Sequence, residues 1–300
     1  IDELVKRAKE LNMPALAITD HGSMYGAIHF YKAAKKAGIK PIIGCEVYVA
    51  PRSRFQKEAN IDNQLYHLVL LAQNQTGYEN LTTLVSLASI EGFYYKPRVD
   101  KELLARHSEG LICLSGCLSG EIPRLLLNNK YDEAKKVAQW YKETFQDRFF
   151  IELQDHGLRD EKMIKANLIR IAHELDIPLV VTNDVHYLRK EDSKVHDILL
   201  CIQTGKTVHD QDRMRFDSDE FYLKSEQEMM EIFGDFPEAI ANTNKIADMV
   251  DLELEFNQML IPPYKLPEGF NSAQEYFRHL CYEGLRKRFP IITPEIEERL

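Results

Sequence analysis

The chain reads as an α/β protein whose largely parallel sheet closes into a barrel, and two observations predict this. Short apolar runs alternate with longer stretches of helical periodicity from Leu16 through Thr182, the pattern of successive βα units. Several of those runs stop abruptly at acids, histidines or a cysteine, as strands do when they deliver side chains to the mouth of a barrel. A doubly wound sheet fits the same alternation, but no Gly-x-Gly-x-x-Gly or phosphate-loop pattern is present.

The elements follow in order. Ile1, Leu4, Val5, Ala8 and Leu11 share one helical face, with Asp2, Glu3, Lys6 and Lys9 turned outward. A helix in this position normally follows a strand, so one is expected upstream of Ile1. Leu16-Ala-Ile-Thr-Asp20-His21-Gly22 is a strand emptying into a polar pair. A helix over 24–37 ends at Gly38, and the strand within 39–49 sets Ile42, Ile43, Val47 and Val49 around Gly44-Cys45-Glu46. Glu46 interrupts an otherwise apolar strand. Residues 51–63 are a polar loop, and Tyr66-His-Leu-Val-Leu-Leu-Ala72 reads as a strand buried on both faces.

A helix over 78–89 leads to the aromatic and basic loop Gly92-Phe-Tyr-Tyr-Lys-Pro-Arg98. Leu111-Ile-Cys-Leu-Ser115 is the next strand and closes into Gly116-Cys117-Leu-Ser-Gly120. Helices over 131–145 and 163–175 flank a strand at 149–153, and the strand at 178–182 runs into Asn183-Asp184-Val185-His186. Its acid and histidine, two residues apart, lie on one side if that segment is extended. Six strands are expected in all. Residues 203–218 are polar and strand-poor, 227–233 and 237–250 are helical, and Ile261-Pro-Pro-Tyr-Lys-Leu-Pro267 is a linker. A domain boundary is expected near 265–270, with a new helix over 273–289.

Composition bounds the chemistry. The 300 residues are 44% hydrophobic and 28% charged, ordinary for a globular chain. No apolar run approaches the roughly 18 residues that a membrane span needs, and no signal peptide is recognisable. A cytoplasmic protein with no membrane partner is expected. The five cysteines, at 45, 113, 117, 201 and 281, form no disulfide framework. A net charge of −9 argues against this stretch being the main grip on a nucleic-acid backbone.

Each candidate ligand has a plain structural reading when taken alone. Asp20-His21 fits a helix cap beside a surface histidine, Glu46 a paired buried acid, His67 a satisfied core histidine and Cys117 a packed thiol. His67 also opens its strand rather than closing it. The coincidence outweighs these readings, because separate strand ends supply His21, Glu46, Cys117, Asp184 and His186, donors suited to zinc or manganese. Among the other histidines, His156 falls at the functional end of its strand and is a candidate supporting or substrate residue, whereas His196 reads as core.

The segments Ala17-Ile-Thr-Asp-His-Gly22, Pro41-Ile-Ile-Gly-Cys-Glu-Val-Tyr-Val49, His67-Leu-Val-Leu-Leu-Ala72, Leu114-Ser-Gly-Cys-Leu-Ser-Gly120 and Thr182-Asn-Asp-Val-His-Tyr187 resemble the polymerase and histidinol phosphatase (PHP) family, closest to its replicative-polymerase members. The resemblance implies a distorted seven-stranded β/α barrel over 1–268 and the start of a polymerase domain over 269–300. It implies that His21, Glu46, His67, Cys117, Asp184 and His186 are ligands of a cluster of up to three zinc or manganese ions. Family members carry a further His-x-His motif on a first strand, expected here to precede Ile1.

The activity implied is metal-dependent phosphoester hydrolysis, as a 3′–5′ proofreading exonuclease acting on a DNA primer terminus. A non-catalytic scaffold that docks a separate proofreading subunit is the alternative, and a free small-molecule phosphatase fits the linker and following helix less well. Magnesium-dependent nucleotide transfer and contact with a sliding clamp are expected beyond Leu300. Arg98 is expected to contact phosphate, since a planar guanidinium matches phosphoryl oxygens.

Overall fold

The computed structural model describes residues 1–259 and 261–300. Seven strands form one curled sheet: β1 (Ala15–Ile18), β2 (Lys40–Val49), β3 (Tyr66–Ala72), β4 (Arg98–Val99), β5 (Leu111–Leu114), β6 (Phe149–Leu153) and β7 (Leu179–Val181). Their order is β1-β2-β3-β5-β6-β7, with the short β4 also paired to β2. This is a distorted half-barrel with helices packed around it. β2 is its spine. Residues 40–43 pair in parallel with β1, 44–49 pair with β3, and Tyr48 and Val49 also pair with β4. A strand covered on both faces is largely apolar, and every β2 residue after Lys40 is buried, Glu46 included.

The structure corrects the expectation of a parallel sheet at β3, which runs antiparallel to both β2 and β5. The reason lies in the connection. No helix forms between β2 and β3, and without a crossover element the chain returns alongside β2 in the opposite sense. The β5–β6 and β6–β7 pairs are parallel, as expected for βα units. β4 also adds a seventh strand inside what reads in sequence as a loop.

The helices are α1 (Asp2–Glu10), α2 (Ala27–Ala37), α3 (Gln75–Ile90), α4 (Lys101–Arg106), α5 (Glu121–Leu127), α6 (Tyr131–Phe145), α7 (Arg159–Leu175), α8 (Ser193–Thr204), α9 (Glu226–Phe233), α10 (Pro237–Met249), α11 (Ala273–Arg288) and α12 (Pro294–Glu298). The short α4 and α5 lack the length that makes a periodicity readable. α2, α3 and α10 pack on β2, β3 and β7 respectively. The resulting core includes Phe30, Ile43, Leu70, Leu84, Phe149 and Ile171, all at or near full burial.

The chain divides into two compact units, Ile1–Leu254 and Glu255–Leu300. The second holds the proline-rich segment, α11 and α12, and Ser272 caps α11 by accepting from the Glu275 amide. Among the described residues, no helix is long and apolar enough to cross a membrane.

Candidate metal centre

His21 and Glu46 are brought together by extension of the β1–β2 ladder past the end of β1. They form an isolated parallel bridge, in which Gly22 N donates to Glu46 O at 2.9 Å and Glu46 N donates to Asp20 O at 3.1 Å. His67 joins them through the reversal of β3. Because that strand runs backwards, its first residues lie at the same end as the last residues of β2, and His67 sits opposite Tyr48. Opening its strand is thus what carries His67 to the site. The turn after β5 closes against it, with His67 N donating to Ser119 O at 3.1 Å and Cys117 Sγ lying 3.7 Å from His67 Nδ1.

The turn depends on glycine at 116. Its φ is +83°, and a Cβ there would stand 2.7 Å from the carbonyl oxygen of His67. Any side chain is therefore excluded both by backbone conformation and by close approach.

The ligand-type atoms of His21, Glu46 and His67 all lie within 4.8 Å of one another. His21 Nδ1 is 3.5 Å from Glu46 Oε1, and His67 Nδ1 contacts the same oxygen. Apart from these two imidazoles, the buried Oε1 has no hydrogen-bond partner among the described residues. Buried polar atoms are normally satisfied. A buried carboxylate oxygen facing two imidazole nitrogens is a place where a divalent cation would bind, and the donor set suits zinc or manganese.

The electrostatics fit as well. Burial pushes the Glu46 carboxyl up, but the imidazoles of His67, His21 and His186 outweigh it and hold the group below its ordinary value. Burial, followed by the Asp184 and Glu46 carboxylates, pushes the Cys117 thiol well up. Burial likewise raises Asp184, against the opposing pull of His186. A cation among these groups reverses that tendency and favours their charged forms.

Asp184 and His186 arrive on the segment after β7. Asp184 has a φ of +41°, an uncommon conformation for a residue with a side chain and one that persists only where the surroundings enforce it. His186 Nδ1 lies 2.6 Å from Asp184 O. A carbonyl can only accept, so Nδ1 carries the proton, which in the neutral ring leaves the Nε2 lone pair for a ligand. The His186 ring lies 6.2 Å from that of His21 and packs edge-on against His196 and Phe216. His196 is therefore partly buried support for a candidate ligand.

His156 is buried and stacked on Phe221 at 3.9 Å. Its Nδ1 lies 2.5 Å from Glu161 Oε1 and its Nε2 3.0 Å from Asn183 O. These contacts occupy both ring nitrogens and give it a supporting position beside the Asp184 segment.

Arg98 is corrected outright. It is wholly buried, and its guanidinium donates to the carbonyls of Gly92, Asp62, Arg54 and Gln56 at 2.7 to 2.9 Å. A fork committed to four carbonyls holds the 51–63 loop and the 92–98 turn together, with no phosphate role.

Sequence reasoning also passed over Glu152 and Tyr48. Tyr48 stacks with His21 at 6.0 Å and meets His67 edge-on at 5.4 Å. Glu152 is buried, and burial first of all raises its carboxyl to about 7. The missed signal for Glu152 is the one that drew attention to Glu46, an acid inside the apolar strand Phe149-Phe-Ile-Glu-Leu153.

A sheet that gathers imidazoles, carboxylates and a thiol at one end defines an α/β protein with a site that could hold a metal ion. A family model described as PHP domain matches residues 1–156, just over half of the chain, and the chain belongs to that family. It is similar to the DNA polymerase III subunit alpha of Treponema pallidum, at 51% identity over 301 residues, covering all of this chain and 26% of that protein. The same subunit of Borreliella burgdorferi is 46% identical with the same coverage. That of Thermus aquaticus is 45% identical, covering 97% of this chain and 24% of the relative. The chain thus spans about a quarter of the length of these relatives.

Proposed function

We propose that this chain is the PHP portion of a replicative DNA polymerase and a metal-dependent phosphoesterase acting as a 3′–5′ exonuclease on the primer terminus. The observation that carries the reading is the convergence of His21 and His67 on the buried Oε1 of Glu46. Similarity to polymerase III alpha subunits over essentially the whole chain supports the replicative setting. In that setting the cytoplasm is its location, and the sliding clamp and a proofreading subunit are partners of the longer protein. We assign 1–268 to the PHP region and 269–300 to the start of the polymerase portion, where magnesium would serve nucleotide transfer.

His21, Glu46, His67, Cys117, Asp184 and His186 would hold zinc or manganese, up to three ions in the full family site. The bound ions would supply Lewis acidity toward a phosphoryl oxygen. The protein's own contribution is positional. Glu46 offers two oxygens between imidazoles, the Asp184 carbonyl fixes the tautomer of His186, and Tyr48 sets the planes of His21 and His67.

Asp184→Asn and Glu46→Gln in the intact polymerase keep shape while removing charge. Both should abolish removal of a mismatched primer terminus and spare nucleotide addition. Undiminished exonuclease activity together with a lower melting temperature and impaired polymerisation would make the domain a scaffold with structural metals.

A further inference from the structure

Two of the candidate ligands, Cys117 and Asp184, sit on turns rather than in strands, and each turn carries a residue at positive φ. Gly116 is at +83° and Asp184 at +41°. The turns follow β5 and β7, and β6 lies between these strands in the sheet. At the corresponding level of β6 stands Glu152, 5% exposed. Its Oε2 accepts from Gly116 N at 2.5 Å, the amide immediately before Cys117. Its Oε1 accepts from Thr182 Oγ1 at 2.7 Å, two residues before Asp184. The carboxylate is itself held in place. Its backbone amide donates to Ser115 Oγ at 2.9 Å, and Gln154 Nε2 donates to Thr182 Oγ1 at 2.9 Å.

We infer that Glu152 is a positioning residue, a buried two-oxygen tie that fixes the Cys117 turn relative to the Asp184 turn. The inference rests on the metal-centre reading for its purpose, though not for its geometry. Three features favour it over a plain core acid. Burying a carboxylate is costly and is tolerated where specific donors satisfy it. Both donors here belong to ligand-bearing turns, one on each side of β6. Neither oxygen is directed to a charged partner, so the group does not serve an ion pair.

The acceptor pattern sets the test. In Glu152→Gln the amide oxygen can still accept from Gly116 N, and Nε2 can donate to Thr182 Oγ1, an oxygen with lone pairs enough for Gln154 as well. Glu152→Met fills similar space and makes neither bond. Thr182→Val cuts only the β7 side.

Hydrogen–deuterium exchange of the intact protein, freed of metal by chelator, reads the tie directly. Glu152→Met should speed exchange in both 116–120 and 182–186 by roughly tenfold, the effect of losing about one net hydrogen bond at each turn. Glu152→Gln should leave both protected, and Thr182→Val should loosen 182–186 alone. Zinc affinity, measured by titration, should fall by about tenfold or more in Glu152→Met, as when outer-shell partners are lost, and stay near the native level in Glu152→Gln.

If Glu152→Met leaves either turn protected, or Thr182→Val loosens both, there is no tie. If Glu152→Gln loses affinity as severely as Glu152→Met, Glu152 acts through its charge and the positioning role is overturned. A native protein that takes up no metal refutes the metal-centre reading alone, because exchange still decides whether the turns are tied.

Discussion

Arg98 shows how far the setting of a side chain can depart from what its chemistry advertises. Its four donations to carbonyls replace the water that a buried guanidinium and four loop carbonyls would otherwise need. Arg98→Met leaves those acceptors unsatisfied and should destabilise the fold by about 3 kcal/mol or more in urea unfolding. Arg98→Lys recovers only part of this, since a point-like ammonium cannot span the planar fork. A phosphate-contact role predicts instead normal stability with weakened substrate binding. At Gly116, substitution by alanine forces a Cβ onto the His67 carbonyl. The expected cost is about 1–3 kcal/mol for the backbone conformation, together with lower metal occupancy by elemental analysis, because the displaced residue is a candidate ligand.

Among the elements, β3 decides the composition of the site, and the segment before α9 decides whether His186 holds its place. Phe221 O accepts from His186 N at 2.9 Å, and Leu223 N donates to Tyr187 O at 3.2 Å. This ribbon is anchored at its far end by the capping box of α9, where Ser225 and Glu228 bond reciprocally and Tyr222 OH donates to Glu228 at 2.6 Å. Burial pushes the Glu228 carboxyl up, but the bonds from Tyr222 and Ser225 outweigh it and hold the group below its ordinary value of 4.5. A carboxyl depressed in the folded state contributes stability that is fully present above its unfolded value and is lost as pH falls through the folded one. The stability gap between the native protein and Glu228→Gln should therefore be open at neutral pH and close below pH 4.5. Urea midpoints across that range check it, and a gap that widens in acid would contradict the assigned direction. Ser225→Ala should cost about 1 kcal/mol.

On the scale of the molecule, the unit Ile1–Leu254 contains the whole sheet and every candidate ligand. Residues 261–267 carry no helix or strand and are mostly exposed, so Lys265 presents trypsin with accessible, unstructured backbone. Brief digestion should cut there first. The fragment ending at Lys265 should keep its metal content and melting temperature, because the whole sheet and every candidate ligand lie before the cut. Earlier cleavage inside 1–254, or loss of metal on cutting, would show that the second unit supports the first.

Taken alone, the sequence determined what short-range chemistry can encode. Apolar periodicity placed six of the seven strands and most of the helices, since burial of one face imposes its spacing locally. Residue types at strand ends marked His21, Glu46, Cys117, Asp184 and His186 as ligand candidates, and of these the structure clusters the ligand atoms of His21 and Glu46 with those of His67, with Cys117 beside His67. Tertiary structure decided the rest. The direction of β3 depends on whether the connection from β2 crosses over, so only the folded chain makes the strand-opening position of His67 an advantage. The fates of Arg98 and Glu152 depend on partners brought from 36 to 44 and from 30 to 36 residues away along the chain, apart from the nearby Gly92 carbonyl. A hydrogen-bond partner is a matter of position in space, and two residues of unmistakable charge were legible as charges without being legible as a loop clasp and a tie between turns.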